Sequence, residues 1–297
     1  MTHVTIREVS LRDGLQIEKP IPLSAKLELL AAVAATGVRE VEATAFVSPS
    51  KVPSMADAAD LAAELHNYPD IEFSALVASP NGAKRAVAAG LRSIEYVVAA
   101  SDTFSEANVG RTSAAATEQI EEIVAIANHS DVTVEVVVAT AWDCPFEGPT
   151  APQRVLDIAA VARDRGVDRF SIADTIGTTT PRRVSSLISQ LRPVIGDMSL
   201  AGHFHNTRGA GLASAYAAIS SGVTRLDASV GGLGGCPFAP GATGNIATED
   251  LVYLLRDSDI DVDIDLQAAI AAASVAKSLV GHDLPSALLR AGDRIQA

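Results

Sequence analysis

The amino-acid sequence predicts a single α/β domain that folds as a (β/α)8 TIM barrel with a C-terminal helical extension. Short β-branched runs alternate with longer Ala- and Leu-rich stretches, and glycines separate several of these stretches from the next run. Uncommon polar residues also follow the ends of the runs. Because eight such strand–helix units fit within 297 residues without an obvious linker, one closed barrel is favoured over several smaller domains.

The predicted strands are brief and apolar, which is typical of parallel strands that are buried on both faces. They lie at residues 4–6, 38–44, 71–77, 93–99, 132–140, 168–173, 198–203 and 224–229. The stretches with helical spacing lie at residues 24–36, 55–66, 81–89, 115–128, 152–165, 181–192 and 210–221. Glycine commonly ends a helix, and this is predicted for the helices that precede Gly37, Gly90, Gly166 and Gly222.

A doubly wound open sheet is the alternative architecture. Such a sheet, when it binds a dinucleotide, carries a glycine-rich loop after its first strand. That position holds Arg12-Asp13-Gly14-Leu15-Gln16 in this chain, which disfavours the alternative. We expect the domain to span residues 1–297, with the barrel ending near residue 258. The extension, at about residues 259–297, is expected to close or extend the barrel and to serve an oligomer interface.

The formal net charge of −13 disfavours nucleic acid or an anionic membrane as a partner. No apolar run approaches the roughly 20 residues that span a bilayer, and the first residues lack the basic and apolar regions of a secretory signal. The two cysteines, Cys144 and Cys236, are far apart in sequence, so a disulfide scaffold is not expected. These features predict a cytoplasmic protein in a reducing compartment.

Several polar residues fall where the predicted strands end. They are Arg12 and Asp13 after the first strand, Glu42 at the end of the second, Asp174 after the sixth, and His203 and His205 at the end of the seventh. A glycine-rich segment, residues 231–245, follows the eighth strand. Because the active sites of TIM barrels lie at the carboxyl ends of the strands, we expect all of these residues to share one cavity mouth.

The His203-Phe204-His205 sequence predicts a metal site. Alternate residues of a strand point to the same side, so both imidazoles can face the barrel axis and hold a cation. Two core histidines bonded to backbone carbonyls are an equally good interpretation of an isolated pair. Asp13 can add an anionic oxygen and Asn245 a neutral one, although a turn at Asp13 and a helix cap at Asn245 are the alternatives. Such a mixed set suits Mg²⁺ or Mn²⁺ and does not exclude Zn²⁺ or Co²⁺.

The segment that begins at Gly231 has four glycines in its first five residues. This composition excludes a stable helix or strand and predicts a loop that brings Cys236 to the site, where a thiol can act as an acid or a base. A structural turn with an incidental cysteine is the alternative. Cys144 lies in a segment with a single glycine and is expected to have a structural place.

These motifs resemble the 3-hydroxy-3-methylglutaryl-CoA (HMG-CoA) lyase family, which belongs to a larger group of metal-dependent barrel lyases and Claisen-condensing synthases. The resemblance covers nearly the whole chain. It is carried by residues 12–16, 41–42, 46–49, 144–145, 174–177, 203–205, 229–238 and 244–250. The 229–238 segment is specific to the lyases, whereas the Arg-Asp and H-x-H motifs also fit isopropylmalate and homocitrate synthases.

The resemblance implies a dimeric barrel that cleaves HMG-CoA to acetoacetate and acetyl-CoA by a retro-Claisen reaction. It implies Mg²⁺ or Mn²⁺ as the cofactor and an acyl-CoA as the substrate. The implied metal ligands are Asp13, His203, His205 and Asn245, and the implied catalytic residues are Cys236, Arg12, Asp13, His203, Glu42 and Asp174. By the same analogy Cys236 is the acid/base of the loop and Arg12 contacts the thioester carbonyl, while Glu42 and Asp174 orient the metal ligands.

Other basic residues are candidates for contacts to a ligand as large as CoA. Arg12 can stabilise negative charge on an enolate oxygen, and its alternative is an ion pair with Glu42 or Asp174. Phosphate contacts are predicted at Lys51, Arg111 and Arg208, although each alone is more often a solvated surface charge.

Four residues depart from the pattern of the family: Leu11, Ala45, Asn206 and Arg208. They are expected to alter the rim of the pocket, which leaves the substituent at C3 of the substrate open. A sister lyase for isohexenylglutaryl-CoA or citramalyl-CoA is therefore the first alternative. A condensing synthase and a barrel without catalytic activity are the others.

Overall fold

The computed structural model describes residues 3–235 and 244–294. Eight parallel strands close into a barrel in which each strand pairs with its neighbours in chain order and the last pairs with the first. The strands are β1 (Thr5–Glu8), β2 (Glu40–Phe46), β3 (Glu72–Val77), β4 (Ser93–Ala99), β5 (Thr133–Ala139), β6 (Arg169–Asp174), β7 (Ser199–Phe204) and β8 (Arg225–Ala228). The predicted TIM barrel is therefore confirmed, and each predicted strand overlaps an observed one.

The helices surround the barrel and cover the outer faces of its strands. They are α1 (Leu23–Ala34), α2 (Ala58–Glu64), α3 (Pro80–Ala88), α4 (Asp102–Val109), α5 (Ser113–Glu118), α6 (Ile120–Asn128), α7 (Pro152–Asp164), α8 (Pro181–Ile195), α9 (Gly211–Ser220), α10 (Thr248–Asp257), α11 (Leu266–Val280) and α12 (Ala287–Ala291). The predicted helix at 115–128 is two helices, α5 and α6. The structure confirms the glycine positions after the helices, since Gly37, Gly90, Gly166 and Gly222 have φ angles of +89°, +88°, +74° and +88°.

The connection after β1 is a single π-helical turn, Ser10–Gly14. The Gly14 amide donates to the Val9 carbonyl at 3.0 Å, and this wider turn carries Arg12 and Asp13 into the barrel mouth. Isolated π-turns are uncommon and often occur at functional sites. Local structure at the end of β1 therefore positions two of the predicted site residues.

The tail packs on the outside of the barrel. Helix α11 contacts both α1 and α10, so it fills the gap between the first and last helices of the ring. Leu284 lies against Gly231, where a Cβ would come within 2.3 Å of its Cδ1 atom, and Gly231 itself has a φ of +72°. The expectation that the tail closes the barrel is consistent with this packing, while the boundary near residue 258 stays a prediction. In the described ranges no helix is long and apolar enough to cross a membrane.

The barrel interior contains a charged layer that the sequence analysis did not predict. Arg7 of β1 forms ion pairs at 2.9 Å with Glu95, 3.0 Å with Glu135 and 2.9 Å with Asp227. All four side chains are buried. TIM barrels usually fill this space with branched aliphatic side chains. Here the chain instead places a network of hydrogen-bonded charges directly below the mouth.

Candidate metal centre

The two histidines lie side by side at the mouth. Their Nε2 atoms are 3.0 Å apart, and both side chains are buried. Strand β7 ends at Phe204, so His205 lies one residue beyond it, where its backbone bridges to Asn245. Phe204 points the other way and its ring packs 5.8 Å from the ring of Trp142. The predicted alternation of His203, Phe204 and His205 is confirmed.

Asp13 completes a group of three ligands. Its Oδ2 atom is 3.8 Å from His205 Nε2, and one ligand atom each from Asp13, His203 and His205 lies within 4.8 Å of the other two. Two imidazole nitrogens and a carboxylate oxygen at this spacing are suited to a divalent cation. The geometry therefore favours metal ligation over two separate core histidines.

Asn245 lies against this group. Its Nδ2 atom donates to Asp13 Oδ2 at 2.8 Å and to the Leu233 carbonyl at 3.1 Å. Its Oδ1 atom is buried, and no residue within the described ranges gives it a hydrogen bond. A buried oxygen without a hydrogen-bond donor normally destabilises the folded protein. A cation bound beside Asn245 Oδ1 would satisfy this oxygen. The alternative of a helix cap is not observed, because the N-cap residue of α10 is Ala247.

Arg12 is fixed by three partners. Its Nη1 atom is 2.6 Å from Asp13 Oδ1 and 3.1 Å from Gln16 Oε1, and its Nη2 atom is 2.7 Å from Glu42 Oε2. Burial alone lowers the pKa of Arg12, but Glu42 and Asp13 outweigh it and hold that pKa above its usual range. An ion pair with Glu42 is one of the roles that the sequence predicts for Arg12, and the structure contains this ion pair. Arg12 also lines the cavity, so both roles are compatible.

Arg12 also determines the charge of Asp13. Burial raises the pKa of the Asp13 carboxyl, but the adjacent Arg12 outweighs this effect and holds the pKa well below its usual range. A carboxylate with so low a pKa is ionised at neutral pH and is therefore a good anionic ligand. The predicted catalytic role of Asp13 stays a prediction.

Glu42 does not end its strand as predicted. It is the third residue of β2, which continues through the apolar residues to Phe46, and the pairing with β3 shifts in register between Glu42 and Thr44. Its side chain is fully buried behind Arg12. Burial raises the pKa of Glu42, and Arg12 opposes this effect. Glu42 therefore acts on the site through Arg12.

Asp174 is the last residue of β6 and holds the following loop. Its oxygens accept hydrogen bonds from the amides of Thr178 at 2.9 Å and Thr179 at 3.0 Å. Arg208, a predicted phosphate contact, binds the backbone of this loop, and its contact with phosphate stays a prediction. Its Nη1 atom donates to the carbonyls of Ile176 at 2.8 Å and Gly177 at 3.3 Å, and it does not line the main cavity.

The departures from the family pattern mostly lie away from the cavity. Asn206 accepts a hydrogen bond from the Gly211 amide at 3.1 Å at the start of α9, and Leu11 is fully buried. Of the four departures only Ala45 lines the cavity. Ala45 is therefore placed to alter the cavity wall, and the expected effect of the other three departures on the rim stays a prediction.

One large cavity of about 1140 Å³ opens from this group of ligands to the protein surface. Its outer part is lined by Lys51, Arg85 and Arg111 among others, so two of the three predicted phosphate contacts lie at the cavity. Small or aliphatic side chains line much of its remaining inner wall together with the Glu95 carboxylate, namely Ala45, Leu76, Val97, Val137, Ala139 and Ala173. The volume exceeds the roughly 300–1,000 Å³ of ordinary ligand pockets.

The predicted acid/base Cys236 lies outside the described residues. The segment before it is described as far as Gly235, which lines the cavity. The Gly231 amide donates to both carboxylate oxygens of Glu249 at 3.1 Å. Cys144 is buried and its Sγ accepts a hydrogen bond from the Ser101 hydroxyl at 2.8 Å, in agreement with a structural place.

Sequence reasoning missed Asp227. Its Oδ2 atom is 3.0 Å from His203 Nδ1, so it contacts a candidate ligand directly. The signal available in the sequence was an aspartate within the predicted strand at residues 224–229. Its partner Arg7 is 220 residues away, and no local pattern joins the two.

A family model described as HMGL-like matches residues 3–276. The cytoplasmic 3-hydroxy-3-methylglutaryl-CoA lyase of Rattus norvegicus is 38% identical over 255 residues, which is 86% of this chain and 74% of that protein. The (R)-citramalyl-CoA lyase of Chloroflexus aurantiacus is 39% identical over 303 aligned positions, which is 98% of this chain and 96% of that protein.

Solved structures match equally well. An HMG-CoA lyase from Acinetobacter baumannii, in complex with coenzyme A and 3-methylmalate, has a TM-score of 0.95 and 38% identity, covering 99% of this chain and 97% of that chain. The HMG-CoA lyase of Bacillus subtilis has a TM-score of 0.94 and 32% identity, covering 98% of each chain. The region matched by the family model includes all four candidate ligands.

Proposed function

The chain belongs to the HMGL-like family of carbon–carbon lyases, and from that premise we propose that it cleaves HMG-CoA to acetoacetate and acetyl-CoA. The observation that carries this proposal is the convergence of Asp13, His203, His205 and Asn245 at the inner end of one large cavity. These residues come from three distant parts of the chain, and barrel closure alone does not require them to be polar.

We propose Mg²⁺ or Mn²⁺ as the cofactor, held by Asp13, His203, His205 and the Oδ1 atom of Asn245. Two oxygens and two nitrogens are compatible with either ion. When bound, the cation would supply the Lewis acidity that lowers the pKa of the tertiary hydroxyl of the substrate.

Cleavage moves negative charge to the thioester oxygen. As the hydroxyl passes its proton to the Asp13 carboxylate, the C2–C3 bond breaks, its electron pair forms the enolate of acetyl-CoA, and C3 becomes a ketone. Arg12 is suited to stabilise that enolate, because Asp13, Glu42 and Gln16 fix its guanidinium in the cavity wall. Cys236, by the resemblance, returns a proton to C2.

The outer cavity fits the CoA portion of the substrate. The chain has a net charge of −13, yet Lys51, Arg85 and Arg111 line the same opening. A local cluster of cations on an acidic protein is what phosphate groups require. The related Acinetobacter structure contains coenzyme A, which supports the same ligand here.

We also propose that the chain acts as a homodimer in the cytoplasm. The resemblance supports the dimer, and the relative from R. norvegicus is named as cytoplasmic. Light scattering and cell fractionation test these two statements.

A lyase for citramalyl-CoA is the second candidate. The match to the Chloroflexus enzyme extends over 98% of this chain, and Ala45 is the one departure from the family pattern that lines the cavity. Both substrates would yield acetyl-CoA, but the second product would be acetoacetate from HMG-CoA and pyruvate from citramalyl-CoA. Ranking kcat/KM for the two thioesters decides between them.

The test of the proposed function is an assay of HMG-CoA turnover with Mg²⁺ that compares the wild-type protein with the Asp13→Asn variant. We expect equal amounts of acetyl-CoA and acetoacetate, and a loss of roughly a thousandfold in kcat for the variant, as removal of several kcal/mol of charge stabilisation implies. Asp197→Asn is the matched control, because this exposed carboxylate lies between α8 and β7 at the opposite end of the barrel. Absence of both products, or equal rates for Asp13→Asn and the wild type, would rule out the proposal.

A further inference from the structure

The carboxylate of Asp227 lies directly behind one of the two histidines. We propose that Asp227 is a positioning residue that, together with Arg7, fixes His203 as a metal ligand and thereby determines how tightly the site binds its cation. This inference rests on the proposed metal site. It concerns a side chain that neither the motifs nor the ligand set includes.

The first step is the orientation of the His203 ring. Asp227 Oδ2 is 3.0 Å from His203 Nδ1, while Nε2 on the far side of the ring faces Nε2 of His205 at 3.0 Å. A hydrogen bond from Nδ1–H to the carboxylate leaves the Nε2 lone pair free and directed toward Asp13 and His205. Carboxylates in this position commonly fix the tautomer and raise the basicity of a ligating histidine.

The second step is the rigidity of Asp227 itself. Arg7 donates from Nε to Oδ1 at 2.9 Å and from Nη2 to Oδ2 at 3.0 Å, so the carboxylate is held by a two-point contact. Only 3% of the Asp227 residue is exposed. Arg7 is fixed in turn by Glu95 and Glu135. The carboxylate therefore has one orientation, and the His203 ring is aligned before any cation arrives.

The other histidine lacks such support. The Nδ1 atom of His205 is buried and has no hydrogen-bond partner among residues 3–235 and 244–294. His205 is aligned instead by the pairing of its backbone with Asn245. The two histidines thus reach the same point by different means, and removal of Asp227 should affect His203 alone.

A plain structural role for Asp227 is the competing interpretation, because any buried arginine needs counter-charges. Glu135 separates the two interpretations. It is buried to a similar degree and accepts a hydrogen bond from Arg7 Nη1 at 3.0 Å, whereas Asp227 accepts from Nε and Nη2; Glu135 also accepts from Arg225 Nη1 at 3.1 Å. Glu135→Gln therefore removes a comparable charge from Arg7 and leaves the His203 contact intact.

The experiment measures Mn²⁺ affinity of the full-length, chelator-treated protein by electron paramagnetic resonance of free Mn²⁺. We expect Asp227→Asn to weaken Mn²⁺ binding about 10- to 100-fold, as loss of such outer partners typically does. The Mn²⁺ affinity of Glu135→Gln should stay within about threefold of the wild type, a factor within the ordinary spread of such effects. Both variants are expected to lower the midpoint of thermal unfolding without metal, because both leave Arg7 with one acidic partner fewer.

Equal Mn²⁺ affinities for Asp227→Asn and Glu135→Gln would overturn the inference and leave the proposed function standing. His203→Ala tests the metal site itself, so unchanged Mn²⁺ affinity in that variant would overturn the proposed site. Should Asp227→Asn fail to fold, nitrogen NMR of histidine in the wild-type protein without metal gives the second test. We expect the His203 proton on Nδ1, and a proton on Nε2 with a bare Nδ1 would contradict the inference.

Discussion

The two halves of the barrel mouth are built differently. The half formed at β1, β7 and β8 carries Arg12, Asp13, His203, His205 and Asp227, and each of these side chains contacts at least one other polar group. The half formed by β2 to β6 presents mainly alanines and aliphatic side chains to the same cavity, with the Glu95 carboxylate of β4 as a charged exception.

We expect from this difference that bond cleavage and substrate selection depend on separate parts of the mouth. In the first half a substitution breaks a network, because each charge is buried with its partner. In the second half a substitution at one of the alanines or aliphatic residues changes the shape of an apolar wall. The following predictions test whether the two halves are in fact independent.

The largest effect is expected from Arg12. Replacing it by Gln removes the proposed donor to the enolate oxygen, so kcat should fall about 100- to 1,000-fold with a much smaller change in KM. Arg12→Lys should not restore the rate, because one ammonium cannot reproduce the contacts to Asp13, Glu42 and Gln16. Steady-state kinetics of both variants check this, and a Lys variant with near wild-type kcat would contradict it.

The loss of Arg12 also leaves Glu42 buried without its cation. A double variant, Arg12→Gln with Glu42→Gln, separates folding from catalysis because it removes both members of the ion pair. Its thermal unfolding should lie closer to the wild type than that of the single variant, while its kcat stays low. Recovery of kcat in the double variant would show that Arg12 acts only through stability.

A smaller effect is expected in the apolar half. Ala45→Leu fills part of the wall, so kcat/KM for HMG-CoA should fall about tenfold, the usual scale for changes of a few methylenes. Mn²⁺ affinity should not change, because Ala45 belongs to the opposite half. Ala63→Leu on the exposed face of α2 is the control. A parallel loss of Mn²⁺ affinity in Ala45→Leu would show that the halves are coupled.

The smallest effect is expected at Glu249. Its carboxylate accepts a hydrogen bond from the Gly231 amide in the segment that follows β8, within the half that carries the candidate metal ligands. Burial raises the pKa of Glu249 to about 7, although hydrogen bonds from Ser286 and Gly231 lower it in part. The folded protein therefore holds this proton more tightly than the unfolded chain does. Its contribution to stability is fully present below the unfolded pKa and is lost as pH rises through about 7.

Glu249→Gln should remove this dependence on pH. Relative to the wild type, the free energy of unfolding of the variant should increase by about 2 kcal/mol between pH 5 and pH 8. Urea denaturation at the two pH values measures it. An equal difference between the two proteins at both pH values would contradict the prediction.

Much of the fold followed from the sequence for local reasons. Each strand is a short β-branched run, and the left-handed conformation after several helices requires glycine, as at Gly37 and Gly222. Helix α4 was not predicted, because it lies within a strand–helix connection and has few apolar residues to show a periodicity. Its start depends on Ser101, whose hydroxyl accepts from the Phe104 amide at 3.3 Å.

Only the site residues near the ends of predicted strands could be predicted from the sequence. His203 lies near the end of β7, His205 follows it, and Asp13 lies in the turn after β1, so barrel topology brings them together. Asp227 was missed because its importance comes from Arg7 and His203, which are joined to it only in three dimensions. Sequence also could not show that backbone carbonyls bind the guanidinium of Arg208.

The most direct measurement is anomalous diffraction from crystals of the full-length protein grown with Mn²⁺ and coenzyme A. We predict one Mn²⁺ peak at about 2.0–2.3 Å from Asp13, His203, His205 and Asn245 Oδ1, the range of metal–oxygen and metal–nitrogen bonds. A peak elsewhere, or no peak in crystals of catalytically active protein, would contradict a common cation between these four side chains.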